Sequence, residues 1–274
     1  MNHQLNQHFR SPVGNIAWDV EGEGPDVVLV HGTPANSVVW RPVIERLRER
    51  YRLHYLDLPG YGASEKFADQ DVRLRSFAQA LAEFLDDRGL DCPRLVGHDF
   101  GAATVMGAHL IEGRAVHSIL VADGVLLSPW GTPFSRLVNR HEEVFAAVPS
   151  YIHRATLAAH LSTAVARPLP EDVEAALIEP WMGEVGQPAY YRQVARYDYE
   201  YTQRLEPLYP TLKVPVRVLW GDQDGWIPLP EGQRLTAMIP GAELRVLPDA
   251  GHFSMVDCPG LFAREIDAFL SETV

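Results

Sequence analysis

Short apolar runs alternate along the chain with longer stretches whose apolar residues recur at helical spacing, the pattern of a parallel sheet wrapped by helices. Val27 to His31 is an unbroken run of β-branched and aliphatic residues ending at Gly32, as a strand buried on both faces reads. Val38 to Glu49 sets Val39, Val43, Ile44 and Leu47 on one helical face. Arg52 to Leu56 predicts the next strand, running into the glycine-rich turn Asp57-Leu-Pro-Gly-Tyr-Gly-Ala-Ser64. Ser76 to Arg88 predicts an amphipathic helix, with Ser76 as N-cap and Gly89 as its stop. Arg94 to His98 then reads as strand, Phe100 to Ile111 as helix and His117 to Ala122 as strand.

The rhythm breaks after this point. From about Val125 to Leu212 no buried-strand run occurs, only helical patterns interrupted by prolines. Seven of the ten tyrosines fall here. The alternation resumes with a strand at Val216 to Trp220, a helix near Gln233 to Ile239, a strand at Glu243 to Leu247 and a last helix from about Leu261 to Ser271. The expected organisation is a core formed by residues 1–124 and 213–274, with residues 125–212 inserted as a helical cap. No internal repeat or low-complexity tract is present.

Composition narrows the function more than the fold. Thirty-six acidic against 24 basic residues give a net charge of -12, which disfavours nucleic acid and anionic membrane as partners. Cys92 and Cys258 lie far apart with no metal-binding spacing, so two reduced thiols are expected. The segment MNHQLNQHFRSPVG lacks the pattern of a signal peptide, and no apolar run approaches the ~20 residues of a spanning helix. These features lead to the expectation of a cytoplasmic enzyme acting on a small organic substrate with water. No cofactor or metal is expected, and a homo-oligomer is compatible with the sequence.

The chemistry concentrates at Gly97-His98-Asp99-Phe100-Gly101, between a predicted strand and a predicted helix. This is the small-x-nucleophile-x-small pattern of a nucleophile elbow, where the reversal leaves no room for side chains at the flanking positions. Aspartate is also a favoured helix N-cap. A cap role alone, however, explains neither the two flanking glycines nor the acid and histidine motifs downstream. With His31-Gly-Thr-Pro34, the Asp57 to Ser64 turn, Trp220-Gly-Asp-Gln-Asp224 and Ala250-Gly-His-Phe253, the chain resembles the α/β-hydrolase superfamily over essentially its full length. Within it, the chain is similar to the epoxide hydrolase and haloalkane or haloacid dehalogenase branch. That resemblance implies the α/β-hydrolase fold: a mostly parallel, doubly wound sheet with an inserted helical cap.

Most members of the superfamily carry serine at the elbow, and an aspartate changes the reaction. A carboxylate attacking a carbonyl would form an anhydride, whereas at sp³ carbon it displaces halide or opens an epoxide to give an alkyl ester. Water activated by a histidine then cleaves the ester. The resemblance implies Asp99 as nucleophile, His252 as base and Asp224 as the acid that orients it, with oxyanion donors on the backbone of Thr33 and Phe100. Asp222 and Asp123 compete for the acid role. His31 and His98 are expected to make structural hydrogen bonds.

The leaving group divides the branch. Epoxide hydrolases open the ring with cap tyrosines, and Gln187-Pro-Ala-Tyr-Tyr-Arg-Gln193 resembles the segment that carries one of them. Tyr191 is the predicted acid, with Tyr190 beside it and Tyr151 as the second tyrosine. Haloalkane dehalogenases hold halide with a tryptophan after the nucleophile and an asparagine in the oxyanion loop, where this chain has Phe100 and Thr33. Trp130 and Trp181 are the cap residues that could bind halide instead. An epoxide hydrolase is therefore the first expectation, a hydrolytic dehalogenase the second, and a non-catalytic ligand sensor on the same fold the alternative of another class.

Overall fold

The computed structural model describes residues 4–273. The chain opens with a hairpin, β1 (Gln7–Ser11) and β2 (Gly14–Glu21), followed by β3 (Asp26–Val30), α1 (Arg41–Leu47) and β4 (Arg52–Leu56). Next come α2 (Leu74–Asp87), β5 (Arg94–His98), α3 (Phe100–Leu110) and β6 (Ser118–Ala122). A helical insert then runs through α4 (Pro133–Arg140), α5 (Glu142–Ala146), α6 (Ser150–Ser162), α7 (Glu171–Ile178), α8 (Gly183–Ala195) and α9 (Tyr199–Leu205). The chain finishes with β7 (Val216–Gly221), α10 (Leu229–Met238), β8 (Glu243–Leu247), α11 (Ser254–Asp257) and α12 (Pro259–Glu272).

The eight strands form one sheet in the order β1-β2-β4-β3-β5-β6-β7-β8, antiparallel over β1, β2 and β4 and parallel from β4 to β8. The central strands β5, β6 and β7 are buried at every position, which their short, mostly apolar runs anticipate. Edge strand β8 leaves Glu243 and Arg245 on its accessible side, and charge there discourages pairing with another chain. This is the α/β-hydrolase fold. The C-terminal ends of the parallel strands open onto the helical insert, the usual location of a site in such a sheet.

Several local expectations are corrected. The sequence reading predicts no strand before Val27, yet β1 and β2 pack Phe9 and Trp18 edge-on against Phe84 of α2. In β1 exposed and buried positions alternate, and in β2 the buried run is only Ile16-Ala17-Trp18, too short to mark a strand by itself. The predicted helix over 38–49 splits into a 3-10 turn at Ser37–Trp40 and α1, where Pro42 fits the first helical turn. The expected N-cap Ser76 lies inside α2; Arg73 occupies the cap position. Helix α10 starts at Leu229, earlier than predicted, because Pro230 is accepted in its first turn.

Candidate active site

Strand β5 and helix α3 meet at Asp99, whose φ of 53° and ψ of −116° are unusual for a residue with a side chain. The turn is possible only because its neighbours are small. A Cβ on Gly97 would lie 2.4 Å from the Gly101 carbonyl oxygen, and one on Gly101 would lie 2.1 Å from that of Val30. The reversal projects Asp99 toward the insert with the amide end of α3 behind it, where the helix dipole favours negative charge. The side chain is nearly fully buried.

Both carboxylate oxygens have defined neighbours. The Thr33 backbone N–H donates to Oδ1 at 2.6 Å, and Nε2 of His252 lies 3.3 Å from Oδ2. Nδ1–H of His252 faces Oδ2 of Asp224 at 2.9 Å, and Asp224 Oδ1 accepts the backbone N–H groups of Trp226 and Ile227. Phe100 is the first residue of α3, so its N–H is one of the helix-end amides without an intrahelical acceptor. Three residues spread over 153 positions of sequence thus stand in one line, with a hydrogen bond from His252 to Asp224 and an ion-pair contact from His252 to Asp99.

The competitors for the acid role are otherwise engaged. Asp123 accepts from the Gly221 N–H at 2.8 Å and from the Ser254 hydroxyl. Burial and the nearby Asp224 charge push its carboxyl well above the usual range, which favours its neutral form. Asp222 is exposed, its carboxylate reaching only the Ala250 N–H at 3.4 Å. The flanking histidines shape the scaffold as expected. His31 receives the Leu58 N–H on Nε2 and donates from Nδ1 to the Gly32 carbonyl. His98 donates from Nε2 to the His252 carbonyl at 2.8 Å, and burial together with the neighbouring His252 pushes its pKa down to about 3.

Burial works against a charge on His252, but Asp224 and Asp99 outweigh it and hold the imidazolium well above its ordinary range. The imidazole therefore lies between two carboxylates that favour its protonated form. Among the described residues no cluster of histidine, cysteine and acidic side chains could hold a metal ion. Both cysteines carry free thiols, and no described helix is long and apolar enough to cross a membrane.

Asp99 faces a cavity of about 50 Å³. That is room for roughly three to five waters at 10–15 Å³ each. Thr33, Phe100, Trp226 and Ile227 line it from the core; Val125, Trp130, Thr132, Ser135, His160 and Val194 close it from the insert side. A groove of about 630 Å³ lies beyond Thr132, His160 and Trp226, which border both spaces.

The insert residues predicted from the sequence fare differently from the core ones. Tyr191 is buried, and its hydroxyl is held by Nδ1 of His153 at 3.0 Å rather than exposed to the cavity. Tyr151 is 72% exposed on the protein surface. Trp181 donates its indole N–H to the Pro34 carbonyl at 2.8 Å and is sealed from solvent. Trp130 does line the cavity, but its N–H points to the Thr202 hydroxyl at 3.3 Å. Tyr190 sits one layer back, its hydroxyl 2.9 Å from Nδ1 of His160. The reason is packing: helix α8 turns both tyrosines of its Tyr-Tyr pair into the interior of the insert.

His160, a lone histidine on a helical pattern for which the sequence implies only a surface or core role, lines the cavity with Thr132 and Ser135. It stacks on Trp226 with centroids 4.5 Å apart, and Trp226 in turn lies 4.9 Å from the His252 ring. Nε2 of His160 has no hydrogen-bond partner in the protein, and burial first, then the charge of His252, pushes its pKa down to about 3. No motif marks it; only its place opposite Asp99 does. Trp226 and Ile227 were legible in principle, as they directly follow Asp224.

The sequence profile of the Alpha/beta hydrolase family matches residues 27–265, and the chain belongs to that family. The chain resembles an α/β hydrolase fold protein from Burkholderia ambifaria, with 39% identity and a TM-score of 0.92 over 96% of this chain and 97% of that one. It is 28% identical to haloalkane dehalogenase 2 of Mycobacterium tuberculosis, over 94% of this chain and 92% of the relative. It is also 26% identical to a pimeloyl-[acyl-carrier protein] methyl ester esterase of Vibrio vulnificus, over 93% of this chain and 98% of the relative. The chain is thus an α/β-fold hydrolase, with similarity to both a dehalogenase and an esterase.

Proposed function

We propose that this hydrolase displaces a leaving group from saturated carbon through an alkyl ester on Asp99, with halide as the preferred leaving group. The observation that carries the reading is the placement of the two Asp99 oxygens. Oδ1 rests on the Thr33 N–H at 2.6 Å, and Oδ2 lies 3.3 Å from the histidine that Asp224 orients. Oδ2 attacks the substrate carbon, the new C–O bond forms as the carbon–halogen bond breaks, and halide departs with the bonding pair. Water then adds to Cγ of Asp99 while His252 takes its proton, and the carbonyl electrons move onto Oδ1 beside the Thr33 N–H. Collapse expels the alcohol, which receives the proton from His252, and restores the carboxylate.

Esterification also prepares the base. It removes the charge on Asp99, one of the two carboxylates that hold the His252 proton, so the imidazole gives up that proton to solvent before accepting one from water.

Halide suits the insert wall better than epoxide. An alkoxide needs an acid, and the three tyrosine hydroxyls that could supply one are bonded to His153, bonded to His160 or exposed on the surface. Halide needs only a donor, and His160, whose Nε2 has no partner within the protein, borders the cavity, whereas the Thr132 and Ser135 hydroxyls there already donate to the Ser135 hydroxyl and the Thr132 carbonyl. Epoxide opening is the second reading, supported by the Tyr190–His160 contact, through which a phenol proton could reach the cavity.

The test is turnover of 1,2-dibromoethane and 1,2-epoxybutane in ¹⁸O-water. A first turnover should release unlabelled alcohol and leave ¹⁸O in Asp99. Label entering the product directly at the first turnover removes Asp99 as nucleophile and moves the reading to general-base or esterase chemistry. Diol formation without bromide release would reverse the leaving-group preference.

A further inference from the structure

The loop after β3 carries a backbone N–H that donates to the Asp99 carboxylate, and three groups of the helical insert hold that loop. Trp181 donates its indole N–H to the Pro34 carbonyl at 2.8 Å. Asn36 donates from its side-chain amide to the Ala176 carbonyl at 2.9 Å. Between them, the Thr33 hydroxyl donates to Oε1 of Gln193 at 2.5 Å. The same oxygen accepts the Tyr61 hydroxyl at 2.6 Å, from the glycine-rich turn after β4.

Both hydroxyls thus converge on one end of the Gln193 side-chain amide. Gln193 is 1% exposed, and burial holds the Tyr61 phenol firmly in its protonated, donating form. One side-chain amide on α8 therefore joins two loops of the core at Thr33, whose own backbone N–H contacts the nucleophile. A packing role alone needs no polar group at this depth, since a buried amide left with Nε2 unpartnered is unfavourable.

We propose that Gln193 is a positioning residue: by fixing Thr33 from the insert side, it sets the oxyanion donor for cleavage of the Asp99 ester. The inference rests on the ester reading above and adds to it a coupling between the insert and the second half of the reaction. Alkylation moves no charge onto Oδ1, whereas addition of water to Cγ does, so loss of the clamp slows the second step more than the first. Gln193 touches no reacting atom.

The experiment measures kcat, KM and the fraction of alkylated enzyme by intact mass during turnover of 1,2-dibromoethane. Wild type, Gln193→Met, Gln193→Glu, Thr33→Val and Thr33→Ser are compared. Gln193→Met and Thr33→Val remove the acceptor and the donor with little change in volume. Each should lower kcat roughly 10- to 100-fold, below the 100- to 1,000-fold typical of losing an oxyanion donor outright. Adduct should accumulate in both, and the double variant should be no slower than either single one. Thr33→Ser keeps the hydroxyl and should restore kcat to within about threefold of wild type, and Gln193→Glu keeps the acceptor and should recover part of the loss.

A raised KM with unchanged kcat and no adduct would reduce Gln193 to packing and overturn the proposal. So would additive effects in the double variant. If either substitution at 193 fails to fold, the Thr33 pair decides, since it breaks the same bond from the core side. His252→Ala separates the two layers of the argument. Adduct in His252→Ala with an unaltered Thr33→Val removes the clamp and keeps the ester, whereas no adduct in His252→Ala removes both.

Discussion

The cavity has two walls built in different ways. On the core side, Asp99, Asp224 and His252 sit at or just after the ends of β5, β7 and β8, and backbone hydrogen bonds between neighbouring strands set their separation. On the insert side, Trp130, Thr132, Ser135, His160 and Val194 come from helices and connections held to one another by aromatic packing. A ladder that fixes strand ends lets a short motif specify a position in space. A packed group of helices does not, because a small rotation of any helix exchanges which side chain faces the cavity. The core wall can therefore carry chemistry common to many substrates while the insert wall decides which substrate fits.

The largest expected effect breaks the core wall. Asp224→Asn leaves a hydrogen-bonding group but removes the charge and permits the wrong His252 tautomer. It should lower kcat by about 10³- to 10⁴-fold with alkyl-enzyme accumulating, as read by stopped-flow kinetics and intact mass. A loss under tenfold would return Asp123 as the working acid.

On the insert wall the expected effects are smaller and depend on the substrate. His160→Phe keeps the stack on Trp226 and removes both ring nitrogens, so bromide release should slow by roughly tenfold, about 1.4 kcal/mol of leaving-group stabilisation. Equal slowing of alkylation and of ester hydrolysis in single-turnover measurements would make His160 a structural residue.

The His252 proton links the walls to pH. Burial works to lower its pKa in the folded protein, but Asp224 and Asp99 favour the imidazolium and raise it above the ordinary value. The stability this contributes is fully present below about pH 6.5 and is lost as pH rises through the folded value. Thermal unfolding of wild type and His252→Gln should show a difference that shrinks with rising pH in that window. Asp99→Asn, which mimics the charge loss on esterification, should shift the His252 imidazole titration downward by NMR; an unchanged titration would show that Asp99 does not hold the proton.

The smallest effects are expected where the sequence pointed most directly into the insert. Tyr191→Phe should leave kcat within about twofold and lower stability by roughly 1 kcal/mol through loss of the His153 contact. Tyr151→Ala, on the surface, should change neither quantity beyond ~0.5 kcal/mol. A large loss of epoxide turnover in Tyr191→Phe would mean that the insert rearranges with substrate bound.

The central parallel strands were legible because burial on both faces writes short, mostly apolar runs, as in Val27 to Val30 and Ile119 to Ala122. The N-terminal hairpin was not, since β1 sets Phe9 between polar neighbours and β2 offers only the three-residue apolar run Ile16-Ala17-Trp18. Asp99, Asp224 and His252 were legible for a related reason: each lies in a glycine-containing turn at a strand end, and the backbone geometry demands those glycines.

By itself, the sequence determined the layered α/β architecture, the position of the helical insert and the aspartate elbow with its two downstream partners. Each of these is a local constraint that a short stretch of residues must satisfy. Only the tertiary structure decided that Tyr191 turns inward to His153, that His160 faces Asp99, and that Gln193 binds a loop 160 residues away. Those outcomes depend on the rotation and docking of packed helices, a property of many side chains together that no single motif records.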